Sequence, residues 1–144
     1  MAPVAAVLCG KHPQLTEYML KNLLPKIEVV HVCNSTDTAV SEIPGLLKGT
    51  VSPPSSGLGS NAEGAGRSDI SLIIIGGGFT PEDFQAIKSA ADSVKPLPLF
   101  CADTSKVPAG AGPPPPELIK KRMLDAIEKE EKGEGEWAPG LYMY

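Results

Sequence analysis

The run Ile70-Ser71-Leu72-Ile73-Ile74-Ile75 stops at Gly76-Gly77-Gly78, and Phe79-Thr80-Pro81-Glu82-Asp83 follows at once. A short, unbroken, β-branched run of this kind reads as a strand buried on both faces, as in a parallel sheet covered by helices. Thr80 then stands where a helix N-cap belongs, Pro81 at the first helical position, and Asp83 where a carboxylate meets free backbone N–H groups. The glycines let backbone approach whatever lies above the strand end, beside a helix N-terminus that favours anions. Few other arrangements satisfy all of these signals together.

The same unit recurs along the chain. Pro3 to Cys9 reads as a buried strand ending at Gly10, and Leu15 to Leu24 carries a helical apolar face closed by Pro25. Ile27 to Cys33 reads as a second strand, followed by caps at Asn34-Ser35-Thr36-Asp37 and a shorter helix disturbed at Pro44-Gly45. After the third strand comes a helix with Phe84, Ile87, Ala91 and Val94 on one face. Leu97 to Cys101 is a short fourth strand, whose Pro98 argues for a sheet edge. The last helix runs from about Glu117 to Glu131, with Ile119, Met123, Ala126 and Ile127 turned inward, and its mixed charges form a solvated face.

This alternation predicts an α/β three-layer sandwich built on a small four-stranded parallel sheet of order 2-1-3-4, Rossmann-like or flavodoxin-like. Residues 1–132 form the single domain. Within them, 49–69 is rich in Gly, Ser and Pro and reads as a flexible insertion. Residues 133–144 form a tail holding Trp137, Tyr142 and Tyr144, three of the seven aromatic residues. Those rings either pack back on the domain or dock on a partner subunit, including a second copy.

Composition removes several functions. The net charge is −4, with no basic cluster of the kind nucleic acid requires. The apolar runs are too short to cross a membrane. Three cysteines, at positions 9, 33 and 101, fit reduced thiols and a cytoplasmic protein. No C-x-x-C or histidine pair at ligand spacing occurs, which disfavours a metal site.

In a 2-1-3-4 sheet the chain leaves strands 1 and 3 in opposite directions, so a crevice opens between their carboxyl ends. Gly10, Lys11 and His12 would face Gly76, Gly77, Gly78, Phe79 and Thr80 there. The dinucleotide fingerprint is absent, since Cys9-Gly10-Lys11-His12-Pro13-Gln14 offers one glycine. Asn34 and Ser35, with Lys11, keep NADP(H) open as a cofactor by offering groups for a 2′-phosphate; alternatively they only cap a helix. Cys9 with His12 is the best local nucleophile and base pair, and the opposing reading makes Cys9 a small buried hydrophobe. His31 lies two residues before Cys33, on the same face of its strand.

Parts of this pattern resemble three known families without matching any of them. The layout resembles a phospho-receiver domain, with Gly76-Gly77-Gly78 where that family has its strand-3 aspartate. The segment Ile75 to Phe84 is similar to the corresponding loop of cobalamin-binding domains, but His12 stands without the D-x-H-x-x-G context. The flavodoxin phosphate loop does not match Gly10-Lys11-His12-Pro13. The expectation is therefore a small domain that binds an anionic small molecule in the crevice, with simple acid–base chemistry at most. The alternative is an accessory subunit that works through its aromatic tail.

Overall fold

The structure, a computed structural model, describes residues 3–50, 53–103, 115–133 and 136–144. The chain order is β1 (Val4–Cys9), α1 (Pro13–Asn22), β2 (Ile27–Cys33), α2 (Thr36–Leu47), a 3-10 turn (Ser60–Glu63), β3 (Ile70–Ile75), α3 (Pro81–Asp92), β4 (Pro98–Cys101), α4 (Pro116–Glu130), β5 (Glu131–Gly133), β6 (Glu136–Trp137) and β7 (Gly140–Met143). The main sheet has the order β2-β1-β3-β4-β7, and every pairing in it is parallel. Helices cover both faces, so the fold is the expected α/β three-layer sandwich, with one strand more than expected.

The inner strands are buried because both of their faces meet helices. Ala5, Val7, Ile73 and Ile75 point into a layer closed by Ala39, Ile43 and Leu46 of α2 and Phe84, Ile87 and Ala91 of α3. Ala6, Leu8, Leu72 and Ile74 point the other way, onto Met19 of α1 and Met123 and Ile127 of α4. Completely burying side chains of this size is worth about 1.5–3 kcal/mol each. That explains why the strands carry almost no polar residue.

Two expectations need correction. Pro98 does not mark an edge: β7 pairs with β4 from Pro98↔Gly140 to Cys101↔Met143. The proline is the first residue of its strand, where the missing N–H interrupts little of the ladder. The aromatic tail therefore supplies a sheet strand. Nor is α2 disturbed at Pro44-Gly45; the helix continues through both to Leu47.

The tail aromatics are used inside the domain. Trp137 is buried and its Nε1–H donates to the Ile127 carbonyl at 2.7 Å. Tyr142 stacks on Phe100 with ring centroids 5.0 Å apart, and its hydroxyl donates to the Ala138 carbonyl at 2.7 Å. Tyr144 is buried against the end of β3. Of the two readings of the tail, the described contacts are those of the first.

Residues 53–69, within the 49–69 stretch read as flexible from composition, lie along the free edge of β2. Ser56 donates to the Val32 carbonyl at 2.8 Å and Ser60 to the Glu28 carboxylate at 2.5 Å. Asn61 is buried and exchanges hydrogen bonds with the Arg67 backbone, while Arg67 reaches Glu28, Asp69 and the Pro3 carbonyl. Gly59 has φ +105°, and a Cβ there would sit 2.6 Å from the Val30 carbonyl oxygen. Only glycine lets the backbone come this close. No helix among the described residues is long and apolar enough to cross a membrane.

Candidate functional site

The carboxyl ends of β1 and β3 are adjacent, with Cys9 paired to Ile75, and the loops that leave them meet above the sheet. The Gly76 N–H donates to the Cys9 carbonyl at 2.8 Å. Gly78 turns with φ +95°, and a Cβ there would lie 3.4 Å from the Lys11 stem. The Lys11 ammonium stands 4.7 Å from the centroid of the Phe79 ring, a cation–π contact. The Gly10-Lys11-His12 and Gly76-Gly77-Gly78 loops thus face each other as the strand order requires.

Beneath them is a cavity of about 410 Å³, within the range of small-molecule sites. Its apolar floor is formed by Leu8, Leu15 and Met19 on one side and Ile119, Met123 and Tyr144 on the other. Lys11, His12 and Arg122 stand on its lining, with Asp103 as the one carboxylate among the described residues. Lys11 and His12 are exposed and Arg122 is half-buried. Gly10, Gly76, Gly77 and Gly78 supply backbone to the same lining. Among the described residues, the N–H groups of Gly77 and Gly78 donate to no protein acceptor.

The cavity exists because α4 packs beside α1, on the face opposite α2 and α3. Strand–helix alternation does not say which face the last helix takes. Arg122 therefore escaped the sequence reading, as did the place of the inward-facing Ile119 and Met123 on the crevice and of Tyr144 as its wall.

Other expected site residues lie elsewhere. The N-terminus of α3 is already filled: Thr80 N–H donates to Asp83 Oδ2 at 2.8 Å, and Asp83 N–H donates to Thr80 Oγ1 at 3.2 Å. This is a complete capping box. A second anion there would meet the Asp83 carboxylate, which that backbone bond holds below the usual aspartate range. The ring of Phe79 packs in the α2/α3 core rather than in the cavity. Ser35 caps α2 by accepting from the Thr38 N–H at 3.1 Å, and neither Asn34 nor Ser35 lines the cavity. Its capping role accounts for Ser35.

Cys9 is fully buried, and its thiol joins the α2/α3 core with Cys33 and Cys101. A hydrogen bond to Cys33, then burial, push it well above the ordinary thiol range. His12 stands at the helix N-cap with no capping hydrogen bond, so its ring is free to meet a ligand.

A second cluster lies on the α2 side of β2. A break in register between Ala6 and Val7 places His31 opposite Val7 and Cys33 opposite Cys9. His31 Nε2 is 2.7 Å from Glu42 Oε1, and Ser55 donates to Glu42 Oε2 at 2.5 Å. Burial opposes the charged ring, but Cys33 and Glu42 outweigh it and raise the His31 pKa. Burial likewise opposes the Glu42 carboxylate, and the hydrogen bonds from Ser55 and His31 outweigh it, holding Glu42 low. The Cys9 hydrogen bond lowers Cys33 against its own burial, with His31 adding to the effect. The His31–Cys33 spacing was visible in sequence, whereas Glu42 comes from a separate helix and was not.

No family model matches the chain, and no solved structure matches it. Over 132 residues it is 31% identical to Kojic acid related protein 6 of Aspergillus oryzae (strain ATCC 42149 / RIB 40), an alignment spanning 89% of this chain and 78% of that protein. The chain belongs to the family of that protein. The aligned share is large enough to include most of the sheet and its helices.

Proposed function

We propose that this protein binds a small amphipathic anion, with an apolar body and a carboxylate or phosphate head, in the crevice between β1 and β3. The observation that carries this reading is the pairing of an apolar floor with a cationic rim: Leu8, Met19 and Met123 below, Lys11 and Arg122 above. Arg122 has no carboxylate partner among the described residues. An arginine left unpaired beside an apolar cavity suits a planar anionic group, which it can grip with two parallel hydrogen bonds. The free N–H groups of Gly77 and Gly78 add uncharged donors to the same head group. The apolar body would displace water from the floor.

His12 is the residue suited to proton transfer if the bound anion reacts, since it stands exposed at the cavity. NADP(H) remains a candidate occupant only through Lys11 and Arg122, because Asn34 and Ser35 are remote from the cavity lining. Three buried free thiols suit a reducing compartment such as the cytoplasm.

Thermal unfolding against a ligand panel tests the proposal. The panel holds alkyl phosphates, fatty carboxylates, acyl-CoA, NADPH, FMN and sugar phosphates, and includes kojic acid because the relative's name mentions it. A bound ligand at roughly 100 times its Kd should add about 2.7 kcal/mol of stability. The expected result is a shift with an anionic amphiphile that Lys11→Ala diminishes. If no ligand shifts the wild-type protein, the proposal fails. Self-association through the open edge of β7, where Met143 is exposed, then becomes the better reading.

A further inference from the structure

Across the sheet from the crevice, His31, Cys33 and Glu42 each bring one ligand atom to within 4.8 Å of the others. His31 and Cys33 are buried, and His31 Nδ1 has no hydrogen-bond partner among the described residues. An imidazole nitrogen, a sulfur and a carboxylate brought together are the donor set of a zinc-class ion.

We propose that His31, Cys33 and Glu42 form a binding site for a divalent ion of the zinc class. His31 and Cys33 are two residues apart on one strand face, which fixes their separation by strand geometry. Glu42 reaches them from α2, and Ser55 anchors its second oxygen. The ion would lie between His31 Nε2, Cys33 Sγ and Glu42 Oε1, where the carboxylate stands 2.7 Å from the ring, and would balance the carboxylate and thiolate charges. Three protein groups leave one position open in a tetrahedral shell. A cavity of about 230 Å³ lined by His31 and Glu42, with Thr50 and Pro53, provides the way in and room for a water ligand. This site is independent of the crevice, whose lining contains none of its three residues.

The test is titration of the full chain, free of any histidine tag, with Co²⁺ as a spectroscopic probe and then Zn²⁺ in competition. Bound cobalt should show a thiolate-to-cobalt charge-transfer band together with tetrahedral d–d absorption, at one ion per chain, and Zn²⁺ should abolish both. Cys33→Ser should remove the charge-transfer band, whereas Cys101→Ser should keep it. Glu42→Gln should weaken binding by tenfold or more, in the range typical of groups that hold or position a metal ligand. Circular dichroism of each variant separates loss of the site from loss of the fold. Absence of the charge-transfer band in the folded wild-type protein would overturn the proposal. So would a band that survives Cys33→Ser, or Co²⁺ affinity unchanged by Glu42→Gln.

Discussion

The Tyr144 hydroxyl donates to the Ile75 carbonyl at 3.0 Å, joining residues 69 positions apart. Ile75 is the last residue of β3, immediately before the glycine triplet, and its carbonyl also accepts from the Ala102 N–H at 2.9 Å. The Tyr144 backbone pairs with its neighbours too: its N–H donates to the Cys101 carbonyl, and its carbonyl accepts from Asp103, both at 3.0 Å. The aromatic tail is thus built into the carboxyl edge of the sheet and forms one wall of the crevice.

Tyr144→Phe removes one of two bonds to the Ile75 carbonyl while keeping the ring. The expected loss is about 0.5–1.5 kcal/mol in urea unfolding, the usual net value of such a bond. Tyr144→Ala empties the wall and should cost about 3–5 kcal/mol, as for other large aromatic truncations. Equal, negligible losses for both variants would mean that the tail does not pack as described.

Trp137 reports on the same packing without mutation. It is the single tryptophan, 9% exposed, with its indole N–H bonded to the Ile127 carbonyl. Its fluorescence should be blue-shifted and poorly quenched by acrylamide in the native protein. A solvent-like spectrum would show the tail detached.

Alkaline pH should destabilise the fold. Burial pushes the Cys101 thiol up from 9.0 to about 12, and burial also pushes the Tyr144 hydroxyl well above its ordinary value. Both groups hold their protons longer in the folded state than in the unfolded one. Their contribution is therefore complete below pH 9 for Cys101, and is lost as pH rises from there towards about 12. Tm should fall across this window, and Cys101→Ala should flatten the slope; an unchanged slope in that variant would contradict the burial argument.

Gly59→Ala tests how residues 53–69 lie on β2. Its Cβ would meet the Val30 carbonyl oxygen at 2.6 Å, at a φ of +105°. Gly57 also has positive φ, +74°, but open space around it. Gly57→Ala should cost about 1–2 kcal/mol from conformation alone. Gly59→Ala should cost more, because the backbone itself must move. Equal costs would place the segment away from β2.

The strand order, the α3 capping box and the meeting of the two loops were legible because each rests on local signals. The Ile70–Ile75 run, Thr80-Pro81 and the glycines act through neighbours in sequence. β7 was not legible: Gly140–Met143 is short, follows Pro139, and becomes a strand only because β4 offers it an edge. Nor were Arg122 and Met123 legible as crevice residues, since their place depends on which face α4 covers. The anion site expected at the N-terminus of α3 shows a related limit. The signal that revealed the helix start, Asp83, is also the carboxylate that fills it.

The most direct test of the crevice is calorimetric titration with decyl phosphate and with decanol, using the wild-type protein and its Lys11→Ala and Arg122→Ala variants. The account predicts saturable binding of the phosphate at one site, weaker by about tenfold or more in each variant, as expected for a lost charge-assisted bond. Decanol should bind much more weakly and be indifferent to both substitutions. Equal affinity for the phosphate and the alcohol, or phosphate binding unchanged in both variants, would contradict it.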